Sequence, residues 1–191
     1  MPEHAPIQNT KTRRNGISKA GFQSCKTKQA IPYPMRWHHD LLIQISLDPQ
    51  IGLIDQHLEK QPTNIFIFVI HINRSRRIIT AVTEPYDDNE IPSNALIVHR
   101  GETMGEPRRS NARLVWASRN VRVSTGDRMR VLTGLADHPE GIPLKGLAQM
   151  VQAGAADPFE SILSLACCGV VAIDLSSPLR PESLVRLTPP G

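Results

Sequence analysis

"RWHHDLLIQISLDPQI", residues 36–51, is the stretch on which the reading of this chain turns. Leu41, Leu42 and Ile45, with Trp37, recur at the spacing of one helix face, and the run stops at Asp48-Pro49. The pattern predicts a helix over residues 36–47. At its head stand His38, His39 and Asp40. Successive helical residues point about 100° apart, so His38 and His39 cannot clamp one ion from a single face. His57 and His71 could join them only through the fold. The plainer expectation is a helix-start histidine pair without a metal.

Working outward, "QIGLIDQHLEKQP" reads as a short strand and a turn. "TNIFIFVIHIN" is β-branched and aromatic, and long enough for a central strand. "RSRR" (74–77) is read as a turn and "IITAVTE" as the returning strand of a hairpin. "PYDDNEIPSN" is a loop, "ALIVH" a short strand and "RGETMGEPRRSN" a second loop. "RLVWASRNVRVS" suggests one or two further short strands. Residues 35–123 are therefore expected to form an α+β unit with a small mixed sheet.

Residues 124–191 differ in texture. "TGDRMRVLTGLADHP" predicts a helix with Thr125 or Asp127 near its start and Met129, Leu132, Leu135 and Ala136 on one face. "EGIPLKGLAQMVQAG" predicts a turn and a short helix. "ADPFESILSLACCG" predicts a third helix, with Asp157 before it, Pro158 at its first position, Glu160 in its first turn and Gly169 at its end. "VVAIDL" and "LVRLTP" are strands around a loop. Three helices followed by a β-hairpin is the plan of a winged helix, a variant of helix-turn-helix; a generic α+β tail is the alternative.

The net charge of +4 is unevenly placed. Residues 1–34 hold six Lys/Arg against one acid, residues 35–123 eleven against ten, and residues 124–191 five against seven. The first segment is polar and punctuated by Pro and Gly, and is expected to be a mostly disordered arm. Its Lys11, Arg13, Arg14, Lys19, Lys26 and Lys28 could track a phosphate backbone; a solvated tail is the alternative. Cys25, Cys167 and Cys168 form neither a disulfide framework nor paired zinc ligands, and the adjacent pair reads as small core residues. The first thirty residues show no secretory h-region and no stretch is apolar enough to span a membrane, so a cytoplasmic protein is expected. There is no GxSxG, no GxGxxG and no GxxxxGK[ST], which leaves serine-hydrolase and nucleotide-loop chemistry unsupported.

"HHDLLIQISLDP" at 38–49, "DQHL" at 55–58 and "SRRIITAVT" at 75–83 together resemble the N-terminal nuclease domain of TnsA-type transposition endonucleases. "RLVWASRNVRVSTGDRMRVLTGL" resembles the segment that closes that fold. The resemblance covers most of residues 36–190. It implies a sheet of restriction-endonuclease-like type followed by a winged-helix-like domain, and a helix Glu and strand Asp holding Mg²⁺ beside a Lys. The Glu position falls on His38 and the strand Asp on Val82. No acid-x-Lys follows; the only lysine between 61 and 191 is Lys145. Val cannot bind a hard cation and neutral His is a poor substitute for carboxylate. A nuclease-like shell without the chemistry follows from these departures, with Asp40, Asp87 and Asp88 as fallback ligands.

The third predicted helix offers Glu160, Ser161 and Ser164 and no cation. Direct reading of base edges, which calls on Arg, Lys, Asn or Gln, is therefore not expected of it. The expected function is that of a non-catalytic DNA-associated protein, regulating transcription or the transfer of a mobile element. It would need no cofactor, and its partners would be duplex DNA and a transposase or regulatory protein. The arm, Arg74, Arg76 and Arg77, Arg128, Arg130 and Lys145, and Arg180 and Arg186 around the wing are the candidate DNA contacts. The alternatives are an active metal-dependent endonuclease subunit and a pure protein-interaction module.

Overall fold

The structure is a computed structural model and describes residues 21–57, 64–152 and 157–189. It is a mixed α+β fold with a four-stranded and a three-stranded sheet among the described residues.

Helix α1 spans Arg36–Leu47, as its spacing predicts. It is not a one-faced helix: nine of its twelve residues are buried, including His38, Asp40, Gln44 and Ser46. A helix covered on every side lies inside the molecule rather than on its surface. Strand β1 (Ile51–Gln56) pairs antiparallel with β2 (Ile65–Ile72), and β2 with β3 (Ser75–Val82). The β2–β3 register runs from Ile65 opposite Val82 to Ile72 opposite Ser75. Only Asn73 and Arg74 therefore form the turn, with φ of 47° and 65°, which is the left-handed pair of a two-residue hairpin. Arg76 and Arg77, expected in the turn, stand on β3 instead. β4 (Ala95–His99) lies parallel to β3 at the edge of the sheet.

Side chains alternate across this sheet. Phe66, Phe68, Ile70, Ile79 and Ala81 belong to the main core with α1. Ile65, Ile67 and Val82 form a second small cluster with Ile78, Tyr86 and Ile91, so the segment after β3 covers the other face.

"RGETMGEPRRSN" is not a loop, nor is "RLVWASRNVRVS" a pair of strands. Helix α2 spans Arg100–Thr103, and α3 spans Arg108–Ala117 before a 3₁₀ turn at Ser118–Asn120. The buried residues of α3 are Asn111, Ala112, Val115 and Trp116, a spacing of one and four. A window opened at Arg113 cuts this pattern in half and leaves a β-like remainder.

Helix α4 (Thr125–Ala136) is capped by Ser124, whose hydroxyl accepts from Asp127 N at 3.0 Å. Its buried face is Asp127, Val131 and Leu135; Met129 and Ala136, expected there, are exposed. β5 (Ile142–Pro143) leads into α5 (Leu144–Ala148). Helix α6 (Pro158–Cys167) is capped by Asp157, which accepts from Phe159 N at 2.7 Å. It ends at Gly169 with φ of 69°, where Gly169 N and Val170 N donate to Ala166 O and Leu165 O. β6 (Val171–Ile173) and β7 (Leu184–Leu187) complete an antiparallel sheet in the order β5-β7-β6.

One hydrophobic cluster runs from Trp37, Leu42 and Phe68 through Ala112 and Trp116 to Val131, Ile162 and Val185, without a break at residues 123/124. α6 is packed against α3, α5 and α1. Residues 21–34 of the expected disordered arm are ordered against the core. Phe22 and Ile31 exchange backbone hydrogen bonds at 2.8 and 2.9 Å, and both are buried. Residues of this kind remove too much apolar surface from water on packing to stay in a solvated tail.

Candidate nucleic-acid interface

His38 is fully buried. Its ring lies 4.7 Å from that of Phe66 and 4.0 Å from that of Trp37, and neither ring nitrogen has a hydrogen-bond partner. Burial pushes its pKa down to about 4, so the imidazole is neutral. Val82 is equally enclosed, but in the second cluster on the opposite face of the sheet. The residue paired with Phe66 on the α1 face is Ala81. The two positions that the nuclease resemblance aligns with metal ligands therefore do not face each other. Neither an apolar-wrapped neutral imidazole nor a valine fits a hard cation such as Mg²⁺.

Asp40 is 4% exposed and its carboxylate is held by Arg113, Nε to Oδ1 at 2.8 Å and Nη2 to Oδ2 at 2.7 Å. Arg109 Nε adds a longer contact to Oδ2 at 3.4 Å. Asp87 caps the 3₁₀ turn Asp88–Glu90, in the segment that covers the far face of the sheet. Among the described residues no three His, Cys, Asp or Glu side chains are placed to share a metal.

Of the expected DNA contacts, Lys11, Arg13, Arg14 and Lys19 lie outside the described residues. Lys26 does not suit the role: it is buried, and its Nζ donates to Asp48 O at 2.6 Å. Burial lowers its pKa against the pull of Cys25 and Asp48. Lys28 is exposed. Arg74, Arg76 and Arg77 are exposed at the tip of the β2–β3 hairpin, and none has an acidic partner among the described residues. Strand alternation sends Arg76 and Arg77 to opposite faces, so they form a collar around the tip rather than one patch.

The cations of the last third are more committed. Arg130 donates to Asp127 Oδ1 at 2.5 Å and to Met150 O at 3.0 Å. Asp127 is drawn down to about 2, first by the Ser124 hydroxyl and then by Gln152 N and Arg130. Lys145 pairs with Glu182 at 3.2 Å. Arg186 Nε donates to Glu140 O at 2.9 Å. Arg128 is exposed without an acidic partner among the described residues, while Arg180 is exposed and near enough to Glu182 to help lower its pKa. In α6, Ser161 and Ser164 are buried, and Ser164 donates to Val121 O at 2.8 Å. The helix is a core element that presents only its first residues to solvent.

A basic cleft lies elsewhere. A cavity of about 600 Å³ is walled by Tyr33, Arg36, His39 and Asp40 on one side and by Arg113, Trp116 and Arg119 on the other. Arg119 stands over the Trp116 ring at 5.5 Å and donates to Trp116 O at 3.2 Å. The pKa of His39 is lowered, first by burial; Arg119, Arg113 and Arg36 push the same way against Asp40. An adjoining cavity of about 540 Å³ shares His39, Trp116 and Arg119 and brings Cys25, Cys167 and Cys168 together. Sequence reading misses this cleft because Arg113 and Arg119 fall in the stretch read as strands. No known protein family, curated protein or solved structure matches this chain.

Proposed function

We propose that this chain is a non-catalytic DNA-associated protein, a regulator of transcription or of mobile-element transfer. The observation that carries the reading is the collar of Arg74, Arg76 and Arg77, exposed on a fully paired hairpin with no acid to neutralise it among the described residues. Free guanidiniums on a fixed element suit backbone phosphate. The succession of helix, short strand, two helices and hairpin, with strands ordered β5-β7-β6, supports a winged-helix reading of residues 124–191. A helix ahead of three antiparallel strands and a parallel fourth supports a nuclease-like shell for residues 35–123. The neutral, enclosed His38 and the valine at 82 support a shell without the chemistry. Since α6 is buried and carries no cation, the contact expected is to phosphates, independent of sequence. A transposase or regulatory protein would supply the target.

Anisotropy of a labelled duplex between 50 and 200 mM salt tests this. Each phosphate contact contributes a slope of about −0.9 in log K against log salt. The triple variant Arg74→Ala, Arg76→Ala, Arg77→Ala should lose most of the affinity, and removal of residues 1–20 should weaken it further. No complex with any duplex at low salt overturns the reading. Nicking of supercoiled plasmid with Mg²⁺ or Mn²⁺ that disappears in Asp40→Ala or Asp87→Ala would instead establish an endonuclease. A protein-interaction role is favoured by one observation, the edge strand β4, which leaves Leu96 and Ile97 52% and 41% exposed.

A further inference from the structure

We propose that the cleft between the start of α1 and the end of α3 is a binding site for a phosphate group, borne either by a free nucleotide or by a nucleic-acid strand. Three guanidiniums reach it from separate parts of the chain: Arg36 at the head of α1, Arg113 within α3 and Arg119 beyond its end. The one carboxylate in the wall cannot neutralise them all. Both oxygens of Asp40 are engaged by Arg113, with Arg109 behind, and the side chain is 4% exposed. Arg36 and Arg119 have no acidic partner among the described residues. The Asp40 fork fixes the direction of Arg113, and the Trp116 face and carbonyl fix that of Arg119. Cations held in place before the ligand arrives lose little freedom on binding it.

A planar fork offers paired N–H donors to the oxygens of a tetrahedral anion. The cleft is also larger than one phosphate. At about 600 Å³, with Tyr33, Met35 and Ile43 in its wall, it has room for the sugar and base attached to the phosphate. α1 opens onto the same space with no acid in its first turn and no side-chain cap, so its dipole adds to the field. The site stands independently of duplex binding by the hairpin.

The test is calorimetric titration of the full chain at low salt with pyrophosphate, with a nucleoside triphosphate and with a short single-stranded oligonucleotide. Binding of pyrophosphate is expected, with Arg36→Ala and Arg119→Ala each weakening it about tenfold. Arg100→Ala, an exposed arginine outside both the cleft and the hairpin tip, should leave it unchanged. The ring resonances of His39 should move on titration in the parent chain and stay still in the Arg36→Ala, Arg119→Ala double variant. Both arginines are exposed, so the variants are expected to fold, and circular dichroism checks this. An oligonucleotide that displaces pyrophosphate assigns the phosphate to a strand; a triphosphate that binds where the oligonucleotide does not assigns it to a free nucleotide. Failure of all three probes to bind, or equal binding by the double variant, overturns the proposal.

Discussion

Arg113 holds Asp40 with two parallel hydrogen bonds, Nε to Oδ1 at 2.8 Å and Nη2 to Oδ2 at 2.7 Å, across residues 73 apart in sequence. This fork ties α3 to α1. The carboxylate is buried and the arginine 39% exposed. Removing the acid strands a partly hydrated cation, which costs less than stranding one in a sealed core. Asp40→Asn should lower unfolding stability by about 2 kcal/mol. A double-mutant cycle with Arg113→Ala should give a coupling of about 1 kcal/mol or more. Additive losses would show that the fork does not join the two helices energetically.

His38 should make the protein acid-sensitive. Its folded pKa is about 4 against a usual 6.5. A histidine with a lowered folded pKa leaves stability intact above 6.5, since both states are then neutral. As pH falls from 6.5 towards 4 the unfolded chain takes up a proton that the folded one refuses. The loss over that window is about 3 kcal/mol. His38→Leu removes two unpartnered ring nitrogens from an apolar site. Denaturant melts across pH 4–7 should show a smaller acid loss for the variant than for the parent; parallel profiles would rule His38 out as the cause.

The Asn73–Arg74 turn offers a separation of stability from binding. Arg74 has φ of 65°, a conformation that costs a side-chain-bearing residue about 1 kcal/mol. Arg74→Gly should therefore raise stability by roughly that amount. The same substitution removes a guanidinium from the hairpin tip, and should reduce the salt slope of duplex binding by about 1. A variant that is more stable but binds DNA with an unchanged salt slope would place Arg74 outside the interface.

The three cysteines should differ sharply in reactivity. Cys167 is buried; burial pushes its thiol up to about 12, and its Sγ donates to Val115 O at 3.2 Å. Cys25 is exposed with its pKa raised, first by partial burial and then by Cys168, and its Sγ donates to Cys167 O at 3.1 Å. Cys168 is exposed. Only thiolate reacts with a maleimide. Mass spectrometry of native protein should find Cys168 labelled first, Cys25 more slowly and Cys167 only after unfolding. Early modification of Cys167 would mean that α6 opens far more readily than its burial implies.

Local signals are legible where they are strong. The run 36–47, the strands around 65–82, and Asp157, Pro158 and Gly169 about α6 each carry a complete pattern within a few residues. Elsewhere a local pattern was cut or outweighed. α3 is hidden from a local pattern because its buried set begins at Asn111, next to a stretch dominated by Arg, Glu and Gly. Asn111 earns its burial from afar, donating to Leu175 O and Ser177 O and accepting from Leu179 N, partners that no local window contains. The face of α4 was displaced because Asp127, a polar residue, is buried through its bonds to Ser124, Arg130 and Gln152.

The site divides the same way. Sequence alone determined that the chain has a helix at 36–47 headed by two histidines, a hairpin rich in arginine, and a last third with helices before strands. These follow from periodicity and capping, which act over a few residues. Only tertiary structure decided that His38 is an enclosed neutral ring, that Val82 lies across the sheet from it, that Lys26 is spent on a carbonyl, and that Arg36, Arg113 and Arg119 surround one cleft. Whether a charge is free, paired or buried depends on neighbours brought together by packing, and no local pattern encodes which neighbours those are.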